Sequence, residues 1–185
     1  MAFSKIIAES MDLTDAYNFT GTLQQNGASI GGVNTPYFYA LMSTSTGNPQ
    51  SGVTKNVSTK MKFDDEIFDT ASAYSTTDYR FTVPSGEAGK YFLFARGYSS
   101  RSNSVYNGSI SIKLNGGSRV NQIGNQIDFY GGAQAGSTNT CHASGLVNLS
   151  VGDYVEAFWY GSHGTGNNVD IYYYNACFGG YKIIE

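Results

Sequence analysis

Charge is scarce in this sequence: Asp, Glu, Lys and Arg make up 14% of it, against a usual ~25%. Eleven basic residues against 14 acidic ones leave a net charge of -3, so nothing favours a grip on nucleic acid or on an anionic membrane. Histidine occurs twice, at His142 and His163, 21 positions apart, which leaves little for acid–base or metal chemistry. Two cysteines, Cys141 and Cys177, cannot make a disulfide framework; they read either as two small buried thiols or as one bridge. No apolar run approaches the ~20 residues that a membrane helix needs, so no membrane insertion is expected. No stretch keeps a helical apolar period, no internal repeat is visible, and no collagen-like Gly-x-y run occurs. The opening, Met1 to Glu9, places an acid where a secretory signal needs an unbroken apolar core. Synthesis in the cytoplasm is therefore expected, and it favours thiols over a bridge.

What fills the space is aromatic and small-polar. Tyr 15, Phe 11 and Gly 23 stand beside many Ser, Thr and Asn, and 41% of the chain is hydrophobic. That composition, at 185 residues, indicates one all-β domain with a short appendage. Tyr37–Met42 and Lys90–Arg96 are apolar at every position that counts on both faces, so each is expected to be covered on both, the second as a central strand. Val53–Phe63, dotted with Lys55, Lys60 and Lys62, reads as an edge strand, and the Ser43–Gly52 stretch before it as a loop. Tyr79–Val83 alternates and is stopped by Pro84-Ser85-Gly86; Ser109–Leu114 alternates and is turned by Asn115-Gly116. Residues 117–137 are expected to be an irregular connection with at most one short strand. Val147, Leu149 and Val151 alternate, Ser150–Asp153 turns, Tyr154–Tyr160 is a strand, and Cys177–Glu185 is the last. Asp153 is expected to bond the backbone of its own turn.

No constellation reads as an active site. His163 lies in the Gly161–Gly166 surface loop, which lacks the lysine and helix of a phosphate-binding loop. Cys141 and His142 are neighbours on a strand and so point to opposite faces, which rules out a dyad. Asp64, Asp128, Asp153 and Asp170 are scattered, without the paired spacing of a glycosidase. Asp64-Asp65-Glu66 offers hard oxygen ligands that could serve calcium in part, or simply a solvated acidic loop. No cofactor is expected, and no enzyme. Tyr98, Tyr106, Tyr130, Tyr172, Tyr173 and Tyr174, set among Ser, Asn and Gly, suit surface recognition, since rigid aromatic contacts then sit beside adaptable polar groups. Packing within strands or between subunits is the plainer role for them. Residues 1–33 carry too little apolar content to fold alone; Phe3, Ile6, Ile7, Phe19 and Leu23 are the candidates for docking them elsewhere, and a disordered linker is the other reading.

The strand series resembles the C1q-like globular domain over residues 35–185. The resemblance rests on Gly89-Lys90-Tyr91-Phe92-Leu93-Phe94, Ile110–Gly116, Leu149–Val155 with its Gly152-Asp153 turn, and Phe178-Gly179-Gly180-Tyr181, in that order. Gly179 stands where the family has serine, and Tyr181 where it has phenylalanine. The family is similar to the tumour necrosis factor fold, which implies a two-sheet jelly-roll sandwich of ten strands, a homotrimer, and binding rather than catalysis. Phe19–Leu23, Asn26–Gly32, Thr35-Pro36 and the Met-Ala-x-Ser-Lys-Ile opening resemble the lead-in to such domains in structural proteins of tailed bacteriophages. That implies a virion protein made in the host cytoplasm: residues 1–33 would attach a fibre, tip or capsid decoration to capsid or tail proteins. Residues 34–185 would then meet a host receptor or glycan. A free or secreted C1q-like lectin or ligand is the alternative.

Overall fold

The computed structural model describes residues 24–25, 28–29, 34–43, 50–54, 56–100, 105–117, 122–123, 129–130, 138–163 and 168–183. The chain divides into two units, Met1–Val33 and Asn34–Glu185. In the first, β1 (Gln24–Gln25) pairs antiparallel with β2 (Ala28–Ser29), leaving Asn26-Gly27 between them. Phe3, Ile6, Ile7, Phe19 and Leu23 lie outside the described residues.

The second unit contains thirteen strands among its described residues: β3 (Tyr37–Leu41), β4 (Gln50–Thr54), β5 (Thr59–Lys60), β6 (Asp65–Asp69), β7 (Tyr74–Ser75), β8 (Arg80–Thr82), β9 (Gly89–Ser100), β10 (Val105–Leu114), β11 (Gln122–Ile123), β12 (Phe129–Tyr130), β13 (Thr138–Leu149), β14 (Tyr154–His163) and β15 (Asn168–Lys182). One sheet runs β11-β10-β14-β8-β7, with β12 on β10 and β5 on β14; the other runs β13-β9-β15-β3-β6, with β4 on β15. The five long strands alternate between the sheets: β9, β13 and β15 lie in one, β10 and β14 in the other. Every pairing in the two sheets is antiparallel. This is a jelly-roll sandwich.

Period-2 alternation builds the core. Tyr91, Leu93 and Ala95 of β9 point inward, as do Ile110 and Ile112 of β10 and Val155, Ala157 and Trp159 of β14. Phe38 lies at the centre of an aromatic stack, 4.5 Å from Phe81 and 5.4 Å from Tyr74 by ring centroid, with Phe178 edge-on at 5.1 Å. Offset and edge-on pairs of this kind add about 0.5–1.5 kcal/mol beyond the area they bury. The Tyr74 hydroxyl donates to the Phe63 carbonyl at 2.8 Å, so its phenol is satisfied, and burial pushes its ionisation far above the ordinary tyrosine range.

The turns follow from their residues. Asn115 and Gly116 both adopt positive φ, 53° and 63°, and Gly117 N–H donates to the Leu114 carbonyl at 3.0 Å. That is the mirror-image hairpin turn for which Asn-Gly is suited. Asp153 closes the next hairpin: its carboxylate accepts from Ser150 N–H at 2.8 Å and from the Asn115 side-chain amide at 2.7 Å.

Several expectations need correction. Val53–Phe63 is not one strand: β4 ends at Thr54, Asn56 turns at φ 59°, and β5 is a two-residue pairing on β14. The cause is tertiary, since Met61 and Phe63 leave the sheet edge to enter the core. The Ser43–Gly52 loop loses its last three residues to β4. Asp65 and Glu66 are not in a loop; they open β6, which pairs with β3. Residues 117–137 hold two short strand pieces, β11 and β12, both on β10. Val151 belongs to the turn rather than to a strand face, at 53% exposed. Gly161 and Ser162 continue β14, and His163 ends it; β10 is long enough to pair with them.

Candidate self-association face

The outer surface of the β13-β9-β15-β3-β6 sheet is the feature that a soluble sandwich would not ordinarily expose. Register places its residues in rows across the strands. Tyr37, Tyr181, Phe92 and Leu146 face one another in sequence across β3, β15, β9 and β13; one level along, Phe68, Tyr39, Gly179, Phe94 and Ser144 do the same from β6 onward. The third level reads Asp65, Leu41, Cys177, Arg96 and His142. The fourth pairs Tyr172, Tyr98 and Thr140.

The first two levels are aromatic. Tyr37 and Phe68 meet edge-on at 5.4 Å, Phe68 stacks on Tyr39 at 5.5 Å, and Phe92 lies 5.6 Å from Tyr181. Phe94 lies across β15 because Gly179 has no side chain: a Cβ there would fall 2.6 Å from Phe94 Cζ. Tyr37 is 39% exposed, Phe68 46% and Leu146 67%. Between Tyr37, Tyr39, Phe68, Phe94 and Tyr181 lies a depression of about 290 Å³. A second, of about 440 Å³, opens between Phe92, Phe94, Arg96, His142 and Cys177. The Tyr39 phenol is raised above the ordinary range first by burial and then by the Cys177 thiol, with Arg96 opposing.

On the other sheet, the described lysines are paired within the chain. Lys60 Nζ bonds the buried Glu156 carboxylate at 2.6 Å and the Asp78 carbonyl at 3.1 Å. Lys113 reaches Ser58 Oγ at 2.9 Å and sits 4.0 Å over the Phe158 ring. Charged and hydroxyl groups there satisfy one another; the aromatic face has few such groups.

The expected site residues divide. Tyr98 and Tyr172 come together, rings edge-on at 6.2 Å, on the same surface as the aromatic rows and inside β9 and β15 rather than beside loops. Tyr173 and Tyr174 also fall within β15, which begins at Asn168 rather than at Cys177; their side chains, with those of Tyr106 and Tyr130, lie outside the described residues. Cys141 points into the core and His142 outward, as strand geometry requires. Cys141 and Cys177 are not bridged: one faces the core, the other the outer surface. Asp65 and Glu66 fall on opposite faces of β6, and Asp64 instead accepts from Ser43 N–H at 2.7 Å. Among the described residues, no group of three or more His, Cys, Asp or Glu could hold a metal ion. Sequence reasoning missed Tyr37, Tyr39, Phe68, Phe92, Phe94, Leu146 and Tyr181. Tyr37, Tyr39, Phe92 and Phe94 carried a signal in the two-faced apolar character of β3 and β9; Phe68, Leu146 and Tyr181 carried none.

No protein-family model and no curated protein sequence matches the chain. Solved structures do. The globular domain of zebrafish complement 1qA protein superposes with a TM-score of 0.53 at 14% identity, covering 82% of this chain and 99% of that one. Murine APRIL at pH 5.0 gives 0.54 at 11% identity, over 80% and 98%. Eiger TNF from S. frugiperda gives 0.52 at 14%, over 81% and 94%. At such identities the likeness concerns fold alone. The chain has the jelly-roll fold of the C1q and tumour necrosis factor domains.

Proposed function

We propose that this chain is a homotrimeric, non-enzymatic recognition module that serves as a structural protein of a bacteriophage particle, as a fibre, tip or capsid decoration. The observation that carries the self-association is the outer face of the β13-β9-β15-β3-β6 sheet. Its two adjacent aromatic levels and exposed Leu146 make a contiguous apolar surface of the kind that marks a protein interface. Residues 34–185 form the trimer, while residues 1–33 attach it to capsid or tail proteins; the phage-like lead-in sequence supports that half of the reading. The edge-on Tyr98–Tyr172 pair contributes to the surface offered to a host receptor or glycan, since rigid tyrosine rings beside small polar groups suit recognition.

Sedimentation of the full chain tests the first half: a species of three 19.9 kDa subunits is expected, and a monomer at micromolar concentration refutes it. Immunogold labelling of purified particles tests the second. A stable soluble trimer found on no particle would favour the free lectin or ligand instead.

A further inference from the structure

Asn-Gly occurs three times in the chain, at Asn26, Asn107 and Asn115. This dipeptide is chemically labile, because glycine carries no side chain to shield its backbone nitrogen. That nitrogen can attack the asparagine side-chain carbon: a C–N bond forms, the amide C–N bond breaks, and ammonia leaves. Water then opens the cyclic imide to aspartate or isoaspartate. At the end of β10 the fold demands this dipeptide. Gly116 sits at φ 63°, and a Cβ there would fall 2.9 Å from the Tyr154 hydroxyl, so only glycine fits. Asn115, at φ 53°, is one of the few other residues that accept the left-handed region. Both are exposed, so water reaches the pair. Yet the amide is held at both ends. Asn115 Nδ2 donates to the Asp153 carboxylate at 2.7 Å, and its Oδ1 accepts from Tyr154 N–H at 2.9 Å. The amide must leave both partners before its carbon can swing onto the Gly116 nitrogen.

We propose that Asn115 is a site of spontaneous deamidation guarded by Asp153, and that its conversion opens the link between the two turns. The link depends on the amide, which has an N–H to give; an ionised aspartate has none. Conversion therefore sets a second carboxylate in place of the donor that now lies 2.7 Å from Asp153, and like charges so close repel. Isoaspartate would also add a backbone atom to a two-residue turn whose geometry fixes the strand register. The change runs one way, because the ammonia is lost to solvent.

Mass-spectrometric peptide mapping of the full chain, aged in mildly alkaline buffer beside a synthetic Ile112–Ser118 peptide, tests the guard. Asn115 is expected to convert at least about tenfold more slowly in the wild-type chain than in the peptide, the rate equivalent of one charge-assisted hydrogen bond. In Asp153→Ala most of that protection should be lost. Asn107-Gly108, held within β10 opposite Ser162 and Gly161, is the internal control and should stay slow in both chains. Near-UV circular dichroism checks that the variant keeps its packed core. Wild-type conversion at the peptide's rate, or Asp153→Ala no faster than wild type, overturns the guard. So does Asn107 rising in step with Asn115, since general loosening would then explain both. Asn115→Asp reads the consequence: its urea midpoint at neutral pH should fall below that of wild type, and an unchanged midpoint overturns the opening of the link.

Discussion

Asp153 joins two turns that are distant in sequence, the Asn115-Gly116 hairpin and its own Ser150–Asp153 turn. The Asn115 amide, then the Ser150 N–H, stabilise its charged form and hold its carboxyl below the ordinary value. A carboxyl depressed in the folded state binds its proton less readily there than in the unfolded chain. Its stabilising contribution is therefore complete above about pH 4 and is lost as pH falls through the folded value. Asp153→Ala should cost about 0.5–1 kcal/mol at pH 7, a modest figure because the group is near solvent. The gap between variant and wild type should narrow as pH falls through the depressed folded value in urea titrations at stepped pH; a constant gap would contradict the account. Glu156 presents the opposite case. It is 4% exposed, and Lys60 reaches it from a side chain 37% exposed. Removing the lysine strands a buried carboxylate, so Lys60→Met should destabilise by about 1–3 kcal/mol. Lys60→Met combined with Glu156→Gln should recover a good part of that loss, as measured by a thermal-unfolding double-mutant cycle.

At the scale of the element, β15 lies at the centre of its sheet, between β9 and β3, and its glycines decide how closely it is packed. A Cβ on Gly180 would meet Leu93 Cδ2 at 2.5 Å and the Phe92 carbonyl at 2.8 Å; one on Gly179 would meet Phe94 Cζ at 2.6 Å. Both substitutions by alanine should destabilise by about 1–3 kcal/mol. Gly179→Ala should also weaken self-association by displacing Phe94, whereas Gly180→Ala, on the core side, should not; comparing urea midpoints with sedimentation separates the two effects. Strands whose own residues alternate were legible in the sequence: Phe38 and Ala40 of β3, and Ile110 and Ile112 of β10, declare an inward face by period alone. β6 was not legible, because Asp65-Glu66 reads as a solvated cluster until β3 supplies a partner for its backbone. The upper part of β15 was hidden for a similar reason: three consecutive tyrosines carry no period, and only the pairing of Ile171 and Tyr172 with β9 anchors that part of the strand. The face itself was half visible. Two-faced apolarity in Tyr37–Met42 and Lys90–Arg96 says that something covers the second face, and register was needed to show that the two strands, one place apart across β15, share it.

For the whole molecule, the jelly roll and the N-terminal unit make separable claims. The strands of the aromatic face all belong to Asn34–Glu185, so a chain cut to these residues should still self-associate. Residues 1–33 should matter only where the particle is involved. Self-association of the folded state also has a thermodynamic signature. Partners that bind the native state and not the unfolded one stabilise it by mass action, so the unfolding midpoint should rise with protein concentration. For a trimer the midpoint should climb over a hundredfold range of concentration in both the full and the truncated chain. The dependence should vanish in Leu146→Asp, which sets a charge on the apolar face without touching the core. Calorimetry at several concentrations reads this directly. A midpoint that rises only in the full chain would move the association to residues 1–33 and leave the aromatic face to another partner. Parallel slopes in the two chains would keep it where the sheet places it, while failure of the truncated chain to enter particles would assign attachment to the N-terminal unit.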